Sequence, residues 1–300
     1  MSALSFAMVT PTYANDYEQF ALLAHTVERR VPEHVPHYVI VPSEDYDLFQ
    51  PLRSSRTRLL KDTEVLPRWA QGLFKVGRYR VTTRSLPLRG WILQQLIKLS
   101  APLFADEDVY LNLDSDTAFL RDFDPAIEFV RDGKVRLFCE LSEPSWPDAV
   151  LEQNRRWRDN SLKLLGITGE KAPRAGYVGQ IVPWRRNVLE SIHQHLDRGW
   201  GRSWQERLGR CLTLSEYTLY GVYVENVLGF EAAGHCPDDT KWALESWAAT
   251  EQSLDDLQAL RDEQLKQHHI ALMVSAKGHT PAERINQVFE LRSPETAGHS

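Results

Sequence analysis

Val109-Tyr110-Leu111-Asn112-Leu113-Asp114-Ser115-Asp116-Thr117 is an apolar run that ends in two carboxylates two residues apart. Such a run, bounded by turn-forming residues, reads as a buried strand. In extended chain, residues i and i+2 point the same way, so both acids can face one ligand. Two close carboxylates repel each other unless a cation or a proton lies between them. Hard oxygen donors suit Mg²⁺ or Mn²⁺, ions that usually also take substrate phosphates. In open α/β sheets the ligand crevice lies off the carboxyl ends of the strands, where this motif sits. The plainer alternative is an Asp-Ser-Asp turn, since both residue types favour turns.

The flanking sequence supplies the context. Upstream, Arg89 to Phe104 predicts a helix with Trp91, Gln95 and Leu99 on one face, Ile92, Leu96 and Leu103 beside them, and Pro102 in its last turn. The chain opens with a short strand, Leu4 to Thr10, ended by Pro11. A helix over Asp16 to Arg30 carries Phe20, Leu23, Ala24 and Val27 at helical spacing, and a second strand, His37 to Val41, stops at Pro42. Strand, helix, strand predicts a parallel βαβ unit. Downstream we expect a helix from about Asp124 to Arg131 and strands at Val135 to Cys139 and Tyr177 to Val182. Helices follow at Arg186 to Asp197, from Ser215, and at Ser253 to Gln267. A last strand spans Ile270 to Ser275, and Thr280-Pro281-Ala282-Glu283 reads as a capping box with Pro at the first helical position. The fold class is therefore α/β, with a mixed, mainly parallel central sheet flanked by helices. With no linker in sight, residues 1–300 read as one domain: 1–140 a nucleotide and metal half, 141–292 an acceptor half, 293–300 a tail.

Composition narrows the function classes. Of 300 residues, 42% are hydrophobic and 25% charged, enough to build a core rather than a disordered chain. The formal charge of −6 argues against a nucleic-acid partner, which needs a basic face. Cys139, Cys211 and Cys236 form neither a disulfide framework nor a CxxC site. The N-terminal stretch does not read as a secretory leader, and no run approaches the roughly 18 apolar residues of a transmembrane segment. These readings predict a cytoplasmic location.

The run Arg89-Gly-Trp-Ile-Leu-Gln-Gln-Leu-Ile-Lys-Leu, followed by Val-Tyr-Leu-Asn-Leu-Asp-Ser-Asp, resembles the centre of GT-A-fold glycosyltransferases. Thr10-Pro11-Thr12-Tyr13, after the opening strand, is similar to that family's nucleotide-binding start. The resemblance covers roughly residues 5 to 125, and is nearest to a bacterial group with a WxxQQxxKL helix before LDSD. It implies a GT-A-like, Rossmann-related fold, a nucleoside-diphosphate sugar donor, a hydroxyl-bearing acceptor (a glycan or small molecule), and Mn²⁺ or Mg²⁺ held by the DxD motif. On that resemblance Asp116 would bind the metal, and Asp114 the metal or, through water, the ribose. Ser115 would lie near the ribose, and Pro11, Thr12 and Tyr13 would border the nucleotide. Asp45 would accept a bond from the base; the alternative is a solvated loop acid. Arg89 and Lys98 would meet the diphosphate, with Gln95 on the same helix an amide candidate for the donor. Gly179 and Gln180 would line the donor sugar, and Trp184 and Tyr217 the acceptor. Glu216 would be the general base if the transfer inverts; its alternative role is to favour the helix dipole. His279 would complete the metal site and Lys277 would neutralise the leaving diphosphate. Trp146, Trp157, Trp200 and Trp204 add sugar-stacking candidates in the second half, most of which would serve a core equally well.

Two rival readings stand beside this one. A haloacid-dehalogenase-type phosphatase also places DxD after a strand, with Asp114 as nucleophile. It wants Thr or Val four residues after the first Asp, where this chain has Ala118. The second rival is a GT-A-like module that has lost turnover and only binds.

Overall fold

The computed structural model describes residues 4–76, 79–140, 147–169, 176–198, 201–267 and 269–291. Trp146, Trp200 and the tail 293–300 lie outside them. The central sheet has five strands: β1 (Phe6–Pro11), β2 (His37–Val41), β3 (Thr57–Lys61), β4 (Val109–Asn112) and β5 (Val182–Arg185). Their spatial order is β3-β2-β1-β4-β5. The first four are parallel and β5 is antiparallel to β4, with Trp184 opposite Tyr110. Order 3-2-1-4 is that of a Rossmann half, and it leaves the carboxyl ends of β1 and β4 side by side. The α/β, mainly parallel architecture expected from the sequence is thus the architecture present.

Burial explains the elements. Every residue of β1 and β4 is buried, as strands covered on both faces require. Helix α1 (Tyr17–Arg30) buries Phe20, Leu23 and Val27 as its spacing demands, with Glu18 in its first turn and Arg29 and Arg30 in its last. Helix α2 (Gly90–Leu99) is shorter than expected, and a separate 3-10 turn holds Ala101–Leu103. Pro102 cannot continue the α-helical hydrogen bonding, so the chain breaks there. The largest apolar cluster joins Ala7, Leu96 and Tyr110 to Trp184, Tyr220 and Val224, so both halves of the sequence share one core.

Several second-half expectations shift. Residues 177–180 are not strand. Ile181 has φ +58°, a left-handed turn unusual for a β-branched residue, and β5 begins after it. A long helix, α3 (Asp148–Leu165), ends at Gly166 in the left-handed conformation. Helix α4 (Arg186–Asp197) matches its expected span. Helix α5 (Glu216–Tyr223) runs into a π-turn over Val224–Leu228. Gly221 is required here, because a Cβ at that position would lie 2.2 Å from the Tyr177 ring. The expected helix at Asp124 is one short turn, Pro125–Glu128, followed by a bridge strand. Thr280 forms no capping box; its hydroxyl accepts from the Gln252 amide, and Pro281 stands at the N-cap of the helix Ala282–Phe289.

After β4 the chain leaves the central sheet. Strand Thr117–Phe119 pairs antiparallel with Ala271–Val274, which pairs parallel with Ala243–Ser246. The Asp-Ser-Asp motif is therefore the hinge between two sheets, and the C-terminal strand is drawn up beside it.

Candidate active site

Asp114, Ser115 and Asp116 occupy the turn between β4 and Thr117, at the carboxyl edge of the sheet. Asp116 is fixed from the C-terminal strand: its Oδ2 accepts from the Ala276 amide at 3.0 Å, and its carbonyl accepts from Val274. Its Oδ1 is buried and has no hydrogen-bond partner among the described residues. Burial, then the neighbouring Asp114 and Asp16, push the Asp116 carboxyl up to about 7. Asp116 also lines a void of about 10 Å³ with Gln19, Leu22 and Val274, room for about one water and far too small for a nucleotide.

A third carboxylate was hidden in the sequence. Asp16 sits at the N-cap of α1, where an acid ordinarily accepts from the helix amides, but it makes no such cap. Instead its Oδ2 accepts from Ser115 Oγ at 3.0 Å, and Tyr13 also bonds to it. Burial, opposed by those two bonds and reinforced by Asp114, raises its pKa. Its position, just past β1 at a helix start, was the only available signal, and a cap explains that signal equally well.

The other side of the site is a buried ion cluster. Lys98, on α2, is 3% exposed. Its Nζ donates to Asp114 Oδ1 at 2.8 Å, to Tyr217 Oη at 2.9 Å and to Glu216 Oε1 at 3.1 Å. An ammonium has three donors, and all three are used. Burial works against the charge, but Asp114, Tyr217 and Glu216 outweigh it and hold Lys98 protonated, its pKa well above the ordinary lysine value. Burial raises the Glu216 pKa against the pull of Lys98.

These contacts correct several expectations. Lys98, expected at the diphosphate, spends its three donors on Asp114, Tyr217 and Glu216 and orients Asp114. Glu216 starts α5 but turns inward to Lys98, and at 4% exposure it has no open path to an acceptor hydroxyl. Tyr217 gives its hydroxyl to the same lysine. Trp184 lines no acceptor site: it is 0% exposed, stacked on Tyr220 at 5.0 Å and edge-on to Tyr217 at 5.4 Å. Gln95 is 2% exposed and donates to the Leu214 carbonyl, tying α2 to the chain before α5. Asp45 is neither a free loop acid nor open to a base with both oxygens, because its Oδ2 accepts from the Ala14 amide and pins the β1 loop. Ser115 spends its hydroxyl on Asp16. Trp157 faces Trp91 at 6.2 Å and Trp204 stacks on His193 at 4.1 Å, so neither stands as an isolated sugar platform.

The remaining candidates are differently placed. Pro11 ends β1 opposite Ile40, and the Thr12 amide donates to the Ile40 carbonyl. Thr12 Oγ1 is buried without a partner among the described residues, and Tyr13 is 39% exposed. Arg89 is exposed at the N-cap of α2, its guanidinium 5.4 Å from the Tyr79 ring centre. A Cβ at Gly179 would meet the Phe138 ring at 3.0 Å, and Gln180 is buried. Lys277 and His279 are exposed in the turn that follows Ala276, the residue bonded to Asp116. Among the described residues no three His, Cys, Asp or Glu side chains converge as a metal cage, so His279 is not gathered with the two aspartates.

The donor set nevertheless fits a hard divalent cation. A buried carboxylate oxygen on Asp116 lacks a partner among the described residues, and Asp114 and Asp16 add negative charge that Lys98 only partly offsets. Mg²⁺-type sites commonly use one or two carboxylates and leave the other positions to water and substrate phosphates.

The comparisons with known proteins are spare. No curated protein matches the sequence. Among solved structures, the fold is similar to the apo structure of the bifunctional glycosyltransferase WbbM, at 11% identity and a TM-score of 0.49. That alignment covers 96% of this chain but only 50% of the other, so the chain spans about half its length. A family model matches residues 2–290, nearly the whole sequence, and the chain belongs to that family, a family of unknown function (DUF6492).

Proposed function

We propose that this chain is a metal-dependent glycosyltransferase that moves a sugar from a nucleoside-diphosphate sugar to an acceptor hydroxyl. The observation that carries the reading is Asp116. It is a buried carboxylate with an unpartnered oxygen, beside two further carboxylates, at the carboxyl edge of a Rossmann-type sheet. A site with more acid than its one lysine offsets repels an anionic donor until a cation joins it. The sequence resemblance to GT-A enzymes supports the same chemistry.

In this reading Asp114 and Asp116 would hold Mn²⁺ or Mg²⁺. Such an ion, when bound, neutralises the charge that grows on the departing diphosphate. Lys98 holds Asp114 in place through its 2.8 Å bond to Oδ1. Asp16 fixes Ser115, and so the shape of the turn that carries both ligands. Thr12 and Tyr13, at the end of the neighbouring strand, border the nucleotide. Lys277, exposed in the turn after Ala276, serves the phosphates. The acceptor oxygen bonds to the anomeric carbon as the bond from that carbon to the diphosphate oxygen breaks, the electron pair leaving with the diphosphate and the hydroxyl proton passing to solvent water.

The test is release of nucleoside diphosphate from a panel of nucleotide sugars, with and without Mn²⁺. Asp116→Ala is expected to lower the rate at least about hundredfold. Turnover indifferent to both Mn²⁺ and the substitution would overturn the reading. A phosphate released from a simple monoester, with an aspartyl-phosphate trapped at Asp114, would replace it by the phosphatase.

A further inference from the structure

We propose that a small sheet upstream of α2 docks this protein onto an anionic lipid surface. The sheet pairs Phe74–Val76 with Tyr79–Val81, and the latter with Leu88–Arg89, all antiparallel. Directly opposed residues share a face. The register sets Phe74 opposite Val81, Val76 opposite Tyr79, and Tyr79 opposite Arg89. One face therefore carries Phe74, Val76, Tyr79, Val81 and Arg89, and the other carries Arg80 and Leu88.

The two faces are inverted relative to ordinary alternation. Arg80 is 8% exposed and paired with Asp62 at 2.6 Å, and Leu88 is 1% exposed. Phe74 and Val76 are each 58% exposed, and the adjoining Leu73 is 69% exposed. A half-covered antiparallel sheet normally turns its apolar side to the core. Here an arginine stands inside with Leu88, while Phe74 and Val76 stand out. Exposures above half on neighbouring residues are those of protruding side chains, suited to insertion rather than to filling a groove.

Charge selects the partner. The chain carries −6 overall, yet every charged residue from Arg68 to Arg89 is Lys or Arg, with Arg80 and Arg84 paired to Asp62 and Glu206. Arg89 is exposed on that face, and Arg68 is exposed in the turn Arg68–Gln71 that leads into the sheet. Arg89 lies over the Tyr79 ring, an aromatic and cationic pair matched to the phosphate level of a bilayer. Apolar insertion flanked by basic side chains is the pattern of interfacial binding to anionic lipid. Among the described residues no helix is long and apolar enough to cross a membrane, so this contact would be peripheral.

The test needs neither donor nor metal, so its failure would leave the transferase reading untouched. The full chain is sedimented with sucrose-loaded vesicles of phosphatidylcholine, alone or with about one-third phosphatidylglycerol, at low salt and at about 0.5 M salt. Binding is expected on the anionic vesicles, at least about tenfold weaker on the neutral ones, and largely released by salt. Phe74→Ser with Val76→Ser, both outward-facing, should keep the melting temperature and weaken vesicle binding at least about tenfold. Arg68→Glu should weaken it at least about fivefold on anionic vesicles alone. Equal binding to neutral vesicles, no binding to anionic ones, or unchanged binding by the double variant would overturn the proposal. So would a wild-type dimer that the double variant dissolves without any vesicle binding, which would assign the face to a second copy of the chain.

Discussion

Asp62 and Asp116 are both buried carboxylates at the carboxyl edge of the molecule's sheets, yet their surroundings differ completely. Asp62, just past β3, has both oxygens satisfied: Oδ1 accepts from the Ser43 amide and hydroxyl, and Oδ2 from Arg80. Asp116, four residues past β4, has one oxygen bonded to a backbone amide and the other to nothing among the described residues, with two acids for neighbours. A saturated buried charge holds loops together. An unsaturated one in a like-charged cluster costs stability, and a fold keeps it when a ligand completes it. Lys98 links the two categories, since it is itself saturated but serves the unsaturated site.

This contrast can be broken most forcefully at Lys98. Lys98→Met leaves Asp114 and Glu216 facing each other without a cation, and should cost about 3–5 kcal/mol in a denaturant titration. A cost within experimental error would mean the cluster is not built around its charge. Arg80→Met should cost about 3 kcal/mol, somewhat less, because Ser43 still satisfies one oxygen of Asp62. Tyr217→Phe removes one acceptor from Lys98 and should cost about 1 kcal/mol. Asp116→Asn should be the smallest, within about 0.5 kcal/mol of wild type or stabilising in metal-free buffer, because it relieves repulsion. A loss as large as that of Arg80→Met would place Asp116 with Asp62 and remove the argument for a ligand site.

Two buried imidazoles give the comparison a pH axis. His37 bonds to Thr10 Oγ1, and His235 to Tyr220 Oη and the Val135 carbonyl. Burial pushes both down to about 3 in the folded state, with Arg56 adding to the effect at His37. The unfolded chain binds these protons near 6.5, so between about 6.5 and 3 it holds more protons than the native state. Stability should therefore fall as pH drops through that window. His37→Gln should flatten the acid limb of a melting-temperature profile, and an unchanged slope would contradict the assignment.

The first half of the chain was legible because its signals are local. Continuous apolar runs ended by Pro11 and Pro42, helical spacing in α1, and an apolar run ending in DxD each report their own environment. Asp16 was not legible, since joining it to Ser115 takes a contact across 99 positions that no spacing announces. Nor was the destination of Lys98 and Glu216, which meet across 118 positions. Trp184 and Tyr217 look alike as exposed or buried aromatics in sequence, and only β5 pairing with β4 decides that Trp184 is core. The strand expected at Tyr177 moved to Val182 because Ile181 adopts a left-handed turn that its residue type argues against.

The most direct measurement is the melting temperature of the wild-type chain and of Asp116→Asn across a panel of nucleoside diphosphates, with and without Mn²⁺. A ligand present at about 100 times its Kd should add about 2.7 kcal/mol of stability. The account predicts a rise for at least one nucleoside diphosphate only when Mn²⁺ is also present, and its loss in Asp116→Asn. A rise of the same size without Mn²⁺, or one that survives the substitution, would contradict it.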